Sequence, residues 1–288
     1  MSDVLCLLAH PDDEIFCADL LSRLTDRGHA LHLACWTRGE GGRHFGDPPR
    51  ATRATLGEVR EREMRASAEA LRADGITFLN YVDPPSTQQG HQAPEHEPAQ
   101  LTDDIQSLIE AEAPDLVLTH GSGGEYGHPA HRQLHERTKA AIDRAAVQPA
   151  LYSFSAYHPA LPELNIVNRW DWAGLRLDAH PYAEAKVRIL LCHRTQWTAF
   201  VGTQETDEEY QAALTDHVAS LPDETYCCHR PGREGISPAV VNSWLGREPD
   251  SSEDRVVDAA RDAMRKYKHL ARIAMGEGTL ALRQFLRS

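Results

Sequence analysis

The stretch VLCLLAHPDDEIFCADLL, residues 4–21, decides the fold class of this sequence. Its first six residues, Val4 to Ala9, form an apolar run of the length of a buried β-strand. The run ends in His10, Pro11 and three acids (12–14), and an apolar pattern with helical spacing follows and ends at Gly28. A buried strand followed at once by a helix is typical of the first unit of an α/β sheet.

The alternation of strand and helix patterns continues through the first 160 residues. Short apolar runs predict strands at residues 4–9, 30–37, 76–82, 115–121 and 151–157. Longer amphipathic segments predict helices at residues 13–28, 58–75, 101–114 and 131–146. Repeated β–α–β units favour a Rossmann-like α/β fold, with a mostly parallel sheet and helices on both faces. In the common form of this fold the strand order is 3-2-1-4-5.

We expect the 288 residues to form a single domain. Residues 1–160 would be the α/β core, and residues 161–288 would be a C-terminal extension that completes the domain. The pattern weakens in the extension, where we predict helices at 181–196 and 253–276. Two polar segments of the core, 38–57 and 83–100, are expected to be surface loops that frame a site.

Composition and charge exclude several classes of function. The formal net charge is −13, which disfavours binding to a nucleic-acid backbone. No apolar run reaches the roughly 20 residues of a membrane-spanning helix, and the N-terminus lacks the basic region of a signal peptide. We therefore expect a cytoplasmic protein, and a homo-oligomer is compatible with the sequence. Six cysteines include no C-x-x-C pair, so Cys227-Cys228-His229 is only a weak alternative metal site.

The turn after the first strand is built for a cation. A dinucleotide-binding fold has G-x-G-x-x-G at this turn, whereas here the turn is AHPDDE, without glycine and with three acids. These acids could complement the positive end of a helix dipole, but three acids and a histidine exceed what a helix cap needs. His10 and Asp13 are three residues apart, a spacing that lets an imidazole and a carboxylate converge on one metal ion.

The third metal ligand is expected in the loop after the fourth strand. In an open α/β sheet the site lies outside the carboxyl ends of the strands, where the strand order reverses, so strands one and four meet there. The loop GSGGEYGHPAH, residues 121–131, carries His128 and His131. A catalytic zinc site typically has three protein ligands and an open position. Spacing alone does not say which of the two histidines faces the metal.

Two motifs carry a resemblance to a known family. AHPDDE (9–14) together with GHPAH (127–131) resembles the LmbE/PIG-L superfamily of zinc-dependent N-acetylglucosaminyl deacetylases. The segments TRGEGGR (37–43), Arg60 to Glu63 and KVRILLCHRTQ (186–196) support it. The resemblance covers roughly residues 3 to 200. It implies hydrolysis of the N-acetyl group of a small-molecule N-acetylglucosamine-type glycoside.

The resemblance also implies roles for individual residues. The zinc ligands would be His10, Asp13 and His131. Asp12 would be the general base, and His128 would polarise the carbonyl group and stabilise the oxyanion. The family often has Asp between the two histidines, where this chain has Ala130, a position that is not a metal ligand.

Three further residues resemble positions that contact the substrate. Tyr126 is similar to a tyrosine that assists the tetrahedral intermediate in some members. Arg60 and Asp83 lie where members contact sugar hydroxyl groups. Zinc is the expected cofactor, with ferrous iron as an alternative that the same ligands accept.

Three other functions remain open from the residues. A zinc amidase that cleaves a different N-acyl bond would share the amide chemistry and differ only in its pocket. An iron oxygenase with two histidines and one carboxylate is disfavoured because such sites usually lie on jelly rolls, not on alternating strands and helices. A non-enzymatic sugar-binding protein is disfavoured by the complete set of ligands and by Asp12.

Overall fold

The computed structural model describes residues 2–43, 49–87, 90–159, 161, 168–232, 241 and 243. A seven-stranded sheet forms its centre, with the order β3-β2-β1-β4-β5-β7-β6. The strands are β1 (Asp3–Leu8), β2 (Ala30–Thr37), β3 (Gly75–Tyr81), β4 (Leu116–Thr119), β5 (Ala150–Phe154), β6 (Leu175–Leu177) and β7 (Glu224–Arg230). Strands β1 to β5 are parallel, which confirms the predicted α/β class and the order 3-2-1-4-5.

Helices cover both faces of this sheet. They are α1 (Ala18–Asp26), α2 (Leu56–Ala70), α3 (Pro98–Glu112), α4 (Pro129–Arg144), α5 (Ala183–Cys192), α6 (Trp197–Val201) and α7 (Asp207–Ser220). In β1, Cys6 and Leu8 belong to the same apolar cluster as residues of α1, α2, α5 and α7, whereas Leu5 and Leu7 pack with α3 and α4. Because side chains alternate along a strand, β1 is buried on both faces, as its continuous apolar run predicts.

The C-terminal half adds two strands that the sequence pattern did not predict. Strand β7 pairs antiparallel with β5 and with β6, so the described part of residues 161–232 extends the same sheet. Buried Glu224 and Thr225 begin β7 and interrupt any apolar run that would mark a strand. Helix α7 was also missed, although Thr206 and Glu209 form a capping box at its start.

The predicted helix at 13–28 is divided in the structure. Residues Asp13–Cys17 form a 3₁₀ turn, and the α-helix proper begins only at Ala18. The N–H groups of Asp19 and Leu20 donate to the Glu224 carboxylate at 3.0 and 3.1 Å. A carboxylate from β7 thus caps α1 and determines where the α-helix begins.

The domain prediction is only partly covered by the described residues. A compact unit spans Met1–Pro249. The helix predicted at 253–276 lies outside the described residues, so the assignment of 1–288 to one domain stays a prediction. Within the described ranges, no helix has the length and apolarity needed to cross a membrane.

Candidate active site

The candidate site lies at the carboxyl ends of β1 and β4. His10 and Asp13 follow β1 directly, and His131 lies in the first turn of α4, which follows the β4 loop. His10 is 7%, Asp13 4% and His131 0% exposed. Asp13 Oδ2 lies 3.3 Å from His10 Nδ1, and Asp13 Oδ1 lies 3.4 Å from His131 Nε2. The fold therefore brings these three side chains together from two separate segments of the chain. Asp13 and His131 are 118 residues apart in the sequence.

The turn that presents the acids is locally strained. Asp12 has a φ of 96°, a left-handed conformation that is uncommon for a residue with a side chain. Its N–H donates to Glu14 Oε2 at 3.0 Å, and Glu14 in turn accepts from Ser67 Oγ at 2.5 Å and from His193 Nε2. Glu14 and His193 are both fully buried. This buried pair therefore holds the backbone of the turn through the N–H of Asp12.

Two groups of side chains at this edge have the spacing of metal ligands. One contains His10, His128 and His131, and the other contains Asp13, His120 and His131, each with its donor atoms within 4.8 Å of one another. His131 is common to both groups. Its Nε2 is buried and makes no hydrogen bond, which is costly for a ring nitrogen unless a ligand occupies it.

Hydrogen bonds to the backbone distinguish the histidines. A backbone N–H can only donate, so a ring nitrogen that receives one must carry a lone pair. His128 Nδ1 accepts from Ala130 N at 3.2 Å, which leaves the proton of the neutral ring on Nε2. His120 Nε2 accepts from Ala9 N at 3.0 Å, which commits the lone pair it would need to bind a metal.

His131 has the opposite arrangement. Its Nδ1 lies 2.5 Å from Glu125 Oε2, and an ionised carboxylate can only accept, so Nδ1 carries the proton and Nε2 keeps a free lone pair. Burial disfavours an ionised Glu125, but His120 and His131 outweigh it and hold the pKa of Glu125 below its ordinary value. His131 is therefore a histidine of this edge with a lone pair that no hydrogen bond occupies. The ring nitrogens of His10 both lie near carboxylates, Nδ1 at 3.3 Å from Asp13 and Nε2 at 3.5 Å from Asp83, so this test does not decide its role. The ligand set that the resemblance implies, His10, Asp13 and His131, stays a prediction.

The two aspartates of the turn have pKa shifts in opposite directions. Burial opposes ionisation of Asp13, but His131 and His120 hold its pKa well below the ordinary value. Burial raises the pKa of Asp12 to about 6, although Arg60 opposes this shift. Burial, with His131 and His10 nearby, lowers the pKa of His128 to about 2, so its imidazole is neutral. This charge state agrees with the tautomer that the hydrogen bond from Ala130 requires.

A cavity of about 420 Å³ opens onto these groups. Asp12, Asp13, Tyr126 and His128 line it, together with the other predicted substrate contacts, Arg60 and Asp83. Asp83 Oδ1 lies 3.5 Å from His10 Nε2. Described parts of both predicted loops, 38–57 and 83–100, contribute to the lining, whereas residues 44–48 and 88–89 of these loops lie outside the described residues.

Arg60 has protein partners as well as a place in the cavity wall. Its guanidinium donates to Asp12 Oδ1 at 2.9 Å, to the carbonyl oxygen of Gly39 at 3.1 Å and to that of Pro11. Arg60 is only 3% exposed. These contacts orient Asp12, and the predicted contact between Arg60 and a sugar hydroxyl stays a prediction.

Several residues of the site were missed by reasoning from the sequence. Glu125 and His120 support the candidate ligands, and His193 supports Glu14. Glu125 had a readable signal, because a metal-binding histidine usually donates its second ring N–H to a carboxylate or carbonyl nearby. The weak alternative site is not supported: within the described residues Cys227 and His229 belong to no ligand group, and His229 pairs with Ser153 Oγ at 2.8 Å.

Comparison with known proteins shows similarity in sequence and in fold. A family model described as PIG-L, GlcNAc-PI de-N-acetylase, matches residues 5–142. The probable N-acetyl-alpha-D-glucosaminyl L-malate deacetylase 2 of Bacillus anthracis is 28% identical over 227 residues, which are 77% of this chain and 93% of that protein. The 1D-myo-inositol 2-acetamido-2-deoxy-alpha-D-glucopyranoside deacetylase of Corynebacterium efficiens is 30% identical over 250 residues, 75% of this chain and 80% of that protein.

Solved structures share the fold at lower identity. The N,N'-diacetylchitobiose deacetylase of Pyrococcus horikoshii has a TM-score of 0.55 and 17% identity, covering 80% of this chain and 84% of that one. The 4-carboxy-2-hydroxymuconate hydratase of Pseudomonas putida KT2440 has a TM-score of 0.55 and 18% identity, covering 80% and 97%. A protein with a similar fold thus catalyses a different reaction, so the fold does not identify the family. The assignment to a family depends on the sequence matches. By those matches, the chain belongs to the PIG-L (LmbE) family of deacetylases.

Proposed function

We propose that the protein is a zinc-dependent deacetylase that hydrolyses the N-acetyl group of an N-acetylglucosamine-type glycoside to acetate and a free amine. The observation that carries this proposal is the buried Nε2 of His131, which makes no hydrogen bond and lies 3.4 Å from Asp13 Oδ1. Asp13 and His10 in turn line an open cavity. Family membership supports the reaction, since the curated relatives are named as deacetylases of glucosamine conjugates.

His10, Asp13 and His131 would hold the metal. Two imidazoles and one carboxylate are a usual donor set for catalytic zinc, and they also suit ferrous iron, which remains the alternative. Bound there, zinc would supply a Lewis acid for the acetamide carbonyl and lower the pKa of a water molecule to roughly 7. Asp12, adjacent to ligand Asp13, would take a proton from the attacking water and deliver it to the leaving nitrogen.

His128 would donate from Nε2 to the carbonyl oxygen as negative charge develops on it. The hydrogen bond from Ala130 to Nδ1 supports this role, because it leaves the ring proton on the nitrogen that is free to face the cavity. One donor of this kind typically contributes about 3 kcal/mol to transition-state stabilisation. Tyr126 is 51% exposed at the cavity wall, where it would assist the same oxygen, and Asp83 would accept from a sugar hydroxyl.

A substrate screen tests this proposal. Zinc-loaded protein is incubated with N-acetylglucosaminides, and free amine and acetate are both measured. We expect equal amounts of the two products from wild type and at least about a hundredfold lower kcat in the Asp12→Asn variant, which keeps the shape of Asp12 and removes its proton acceptor. Full activity of Asp12→Asn would show that the base lies elsewhere.

The same screen separates the alternative amidase. N-Acyl amino acids and N-acylated amines without a sugar serve as the comparison substrates. Faster hydrolysis of these compounds than of any N-acetylglucosaminide would favour a zinc amidase of different specificity. No hydrolysis of either class, with binding of N-acetylglucosaminides retained, would favour a sugar-binding protein.

A further inference from the structure

The charged groups of the cavity are divided between its base and its rim. The carboxylates that line it belong to Asp12, Asp13 and Asp83, which are buried or partly buried near the candidate ligands. The exposed lining residues, called here the rim, contain no carboxylate within the described part of the chain. They are Arg43, Ser86, His91, Gln92, Tyr126 and Ala199. The rim therefore carries a cation and neutral polar groups, in a chain whose net charge is −13.

Arg43 is the cation of this rim. No carboxylate of the described residues lies within ion-pair distance of its guanidinium, in contrast to Arg60, whose guanidinium is 2.9 Å from Asp12. Arg43 and His91 both line the cavity, on the loops that follow β2 and β3. The His91 ring in turn lies 4.6 Å from the ring of His128. Arg43, His91 and His128 thus belong to the wall of one cavity.

Side chains donate hydrogen bonds to three backbone carbonyl groups in the loop that carries Arg43. Arg53 donates to the carbonyl oxygens of Glu40 and Gly42 at 2.5 and 2.7 Å. The side-chain amide of Gln196 donates to the carbonyl oxygen of Arg43 itself at 3.2 Å. A Cβ atom on Gly42 would lie 2.5 Å from Arg60 Nη1, so a larger residue would have to displace the Arg60 guanidinium. The backbone of Arg43 is therefore positioned before any ligand binds.

The chemistry of the proposed substrate directs its aglycone to this rim. In a glucosaminide the acetamide is on C2 and the aglycone is on the adjacent C1. If the acetamide lies at the buried base of the cavity, the aglycone must leave through the open side, where the rim residues are. A fixed backbone at Arg43 limits the ordering entropy of pairing with an anion to that of its own side chain.

We propose that the rim binds an anionic group on the aglycone, a carboxylate, with Arg43 as its charge partner and His91 and Gln92 as hydrogen-bonding neighbours. This inference rests on the proposed function and adds the class of aglycone to it. The curated relatives are named for a malate conjugate and for an inositol conjugate. Malate carries carboxylates and inositol carries none, so the proposal favours an aglycone of the malate kind.

Two synthetic substrates test the proposal. The carboxymethyl and the carbamoylmethyl glycosides of N-acetyl-α-D-glucosamine have nearly the same shape and differ in charge. We expect wild type to prefer the carboxylate about tenfold in kcat/KM, and this preference to decrease with added salt because the rim is exposed. In Arg43→Gln the ratio of the two kcat/KM values should fall to about one. Arg144→Gln, the same charge change on the exposed face of α4, should keep the wild-type ratio.

A binding measurement keeps the test independent of turnover. Calorimetry with zinc-loaded Asp12→Asn gives the dissociation constants of both glycosides, and the double variant with Arg43→Gln gives the contribution of Arg43. Preferential binding of the carboxylate that Arg43→Gln abolishes would support the inference even if no glycoside were hydrolysed, in which case only the proposed function fails. Equal binding of the two glycosides, or an equal loss for both in Arg43→Gln, would overturn the inference.

Discussion

At the scale of single residues, the two histidines of the GHPAH motif differ in which ring nitrogen accepts a hydrogen bond. His128 Nδ1 accepts from the backbone of Ala130, whereas His131 Nδ1 donates to Glu125. The ring of His131 therefore presents a lone pair at Nε2, and the ring of His128 presents a proton there. Two imidazoles stacked 4.5 Å apart thus differ in the group that they present at Nε2, and under the proposed function one would bind a cation and the other would stabilise an anion.

This difference predicts opposite outcomes for two alanine variants. His131→Ala should lose zinc, because it removes the only lone pair that α4 offers to the site. His128→Ala should keep zinc and lose roughly 10²–10³-fold in kcat, the usual effect of removing one oxyanion donor. Elemental analysis after dialysis measures the metal, and steady-state kinetics measures the activity. If His128→Ala loses zinc while His131→Ala retains it, the two roles are reversed.

Glu125 predicts a second effect on the metal. Its carboxylate accepts from the Nδ1 atoms of His120 and His131 and from the N–H of Gly121 at 2.8 Å, so it determines the orientation and tautomer of His131. Glu125→Gln should weaken zinc binding roughly 10–100-fold, the usual effect of such a supporting residue. Competition with a chromogenic chelator measures this affinity without any activity assay. Glu136→Gln, on the exposed face of α4, is the matched control and should leave the affinity unchanged.

At the scale of secondary-structure elements, Glu224 joins three of them. Its carboxylate caps the N-terminus of α1, pairs with Lys186 Nζ of α5 at 2.6 Å and accepts from the hydroxyl of Tyr226. Glu224 is 5% and Lys186 also 5% exposed. A buried ion pair adds little net stability over an apolar pair, but an unpaired buried charge is expensive.

Lys186→Met should therefore lower the free energy of unfolding by about 3–5 kcal/mol, since it leaves the Glu224 charge buried without its cation. Urea denaturation at constant zinc concentration measures the effect. Lys186→Met with Glu224→Gln should be less destabilised than Lys186→Met alone. The exposed pair Arg144–Asp103 is the control, and Arg144→Gln should cost less than about 1 kcal/mol. If the loss of unfolding free energy in the double variant equals the sum of the losses in Lys186→Met and Glu224→Gln, the two side chains are not coupled.

At the scale of the whole molecule, a second buried acid in this region links stability to pH. Asp19 is 1% exposed, and burial together with repulsion from Glu224 raises its pKa to about 7, although Arg23 and Lys186 oppose this shift. The ordinary value is 3.8. Between these two values the folded protein holds a proton on Asp19 that the unfolded chain releases. This contribution to stability is complete below about pH 4 and is lost as the pH rises to about 7.

Asp19→Asn should remove this dependence. Wild type should lose on the order of 4 kcal/mol of stability through Asp19 between pH 4 and pH 7, and the variant should not. This figure follows from the rise in the pKa from 3.8 to about 7, at about 1.4 kcal/mol per unit. Denaturation series at several pH values measure both proteins, and their difference isolates Asp19 from other titrating groups. Parallel curves for wild type and variant would mean that Asp19 is ionised throughout this range.

Local pattern and simple topology were sufficient for the central part of the fold and for the position of the site. The apolar run of β1 and the alternation of the next four strands with helices follow from periodicity. The order 3-2-1-4-5 was expected as the common form of this fold, and the structure has it. The same order brings the AHPDDE turn beside the GHPAH loop, because carboxyl ends of adjacent parallel strands lie at one edge. These features depend on neighbours in sequence or on a general rule of sheet topology.

Tertiary structure alone decided the start of α1, the buried partner of Glu14 and the strands β6 and β7. Each depends on a contact between residues that are distant in sequence, such as Asp19 with Glu224, 205 residues apart, or Glu14 with His193, 179 residues apart. No local propensity encodes such a contact, since its free energy arises only when packing removes both groups from water. The residue types that could bind a metal were readable from the sequence, and the folded hydrogen-bond network decides which of their nitrogen atoms is free to do so.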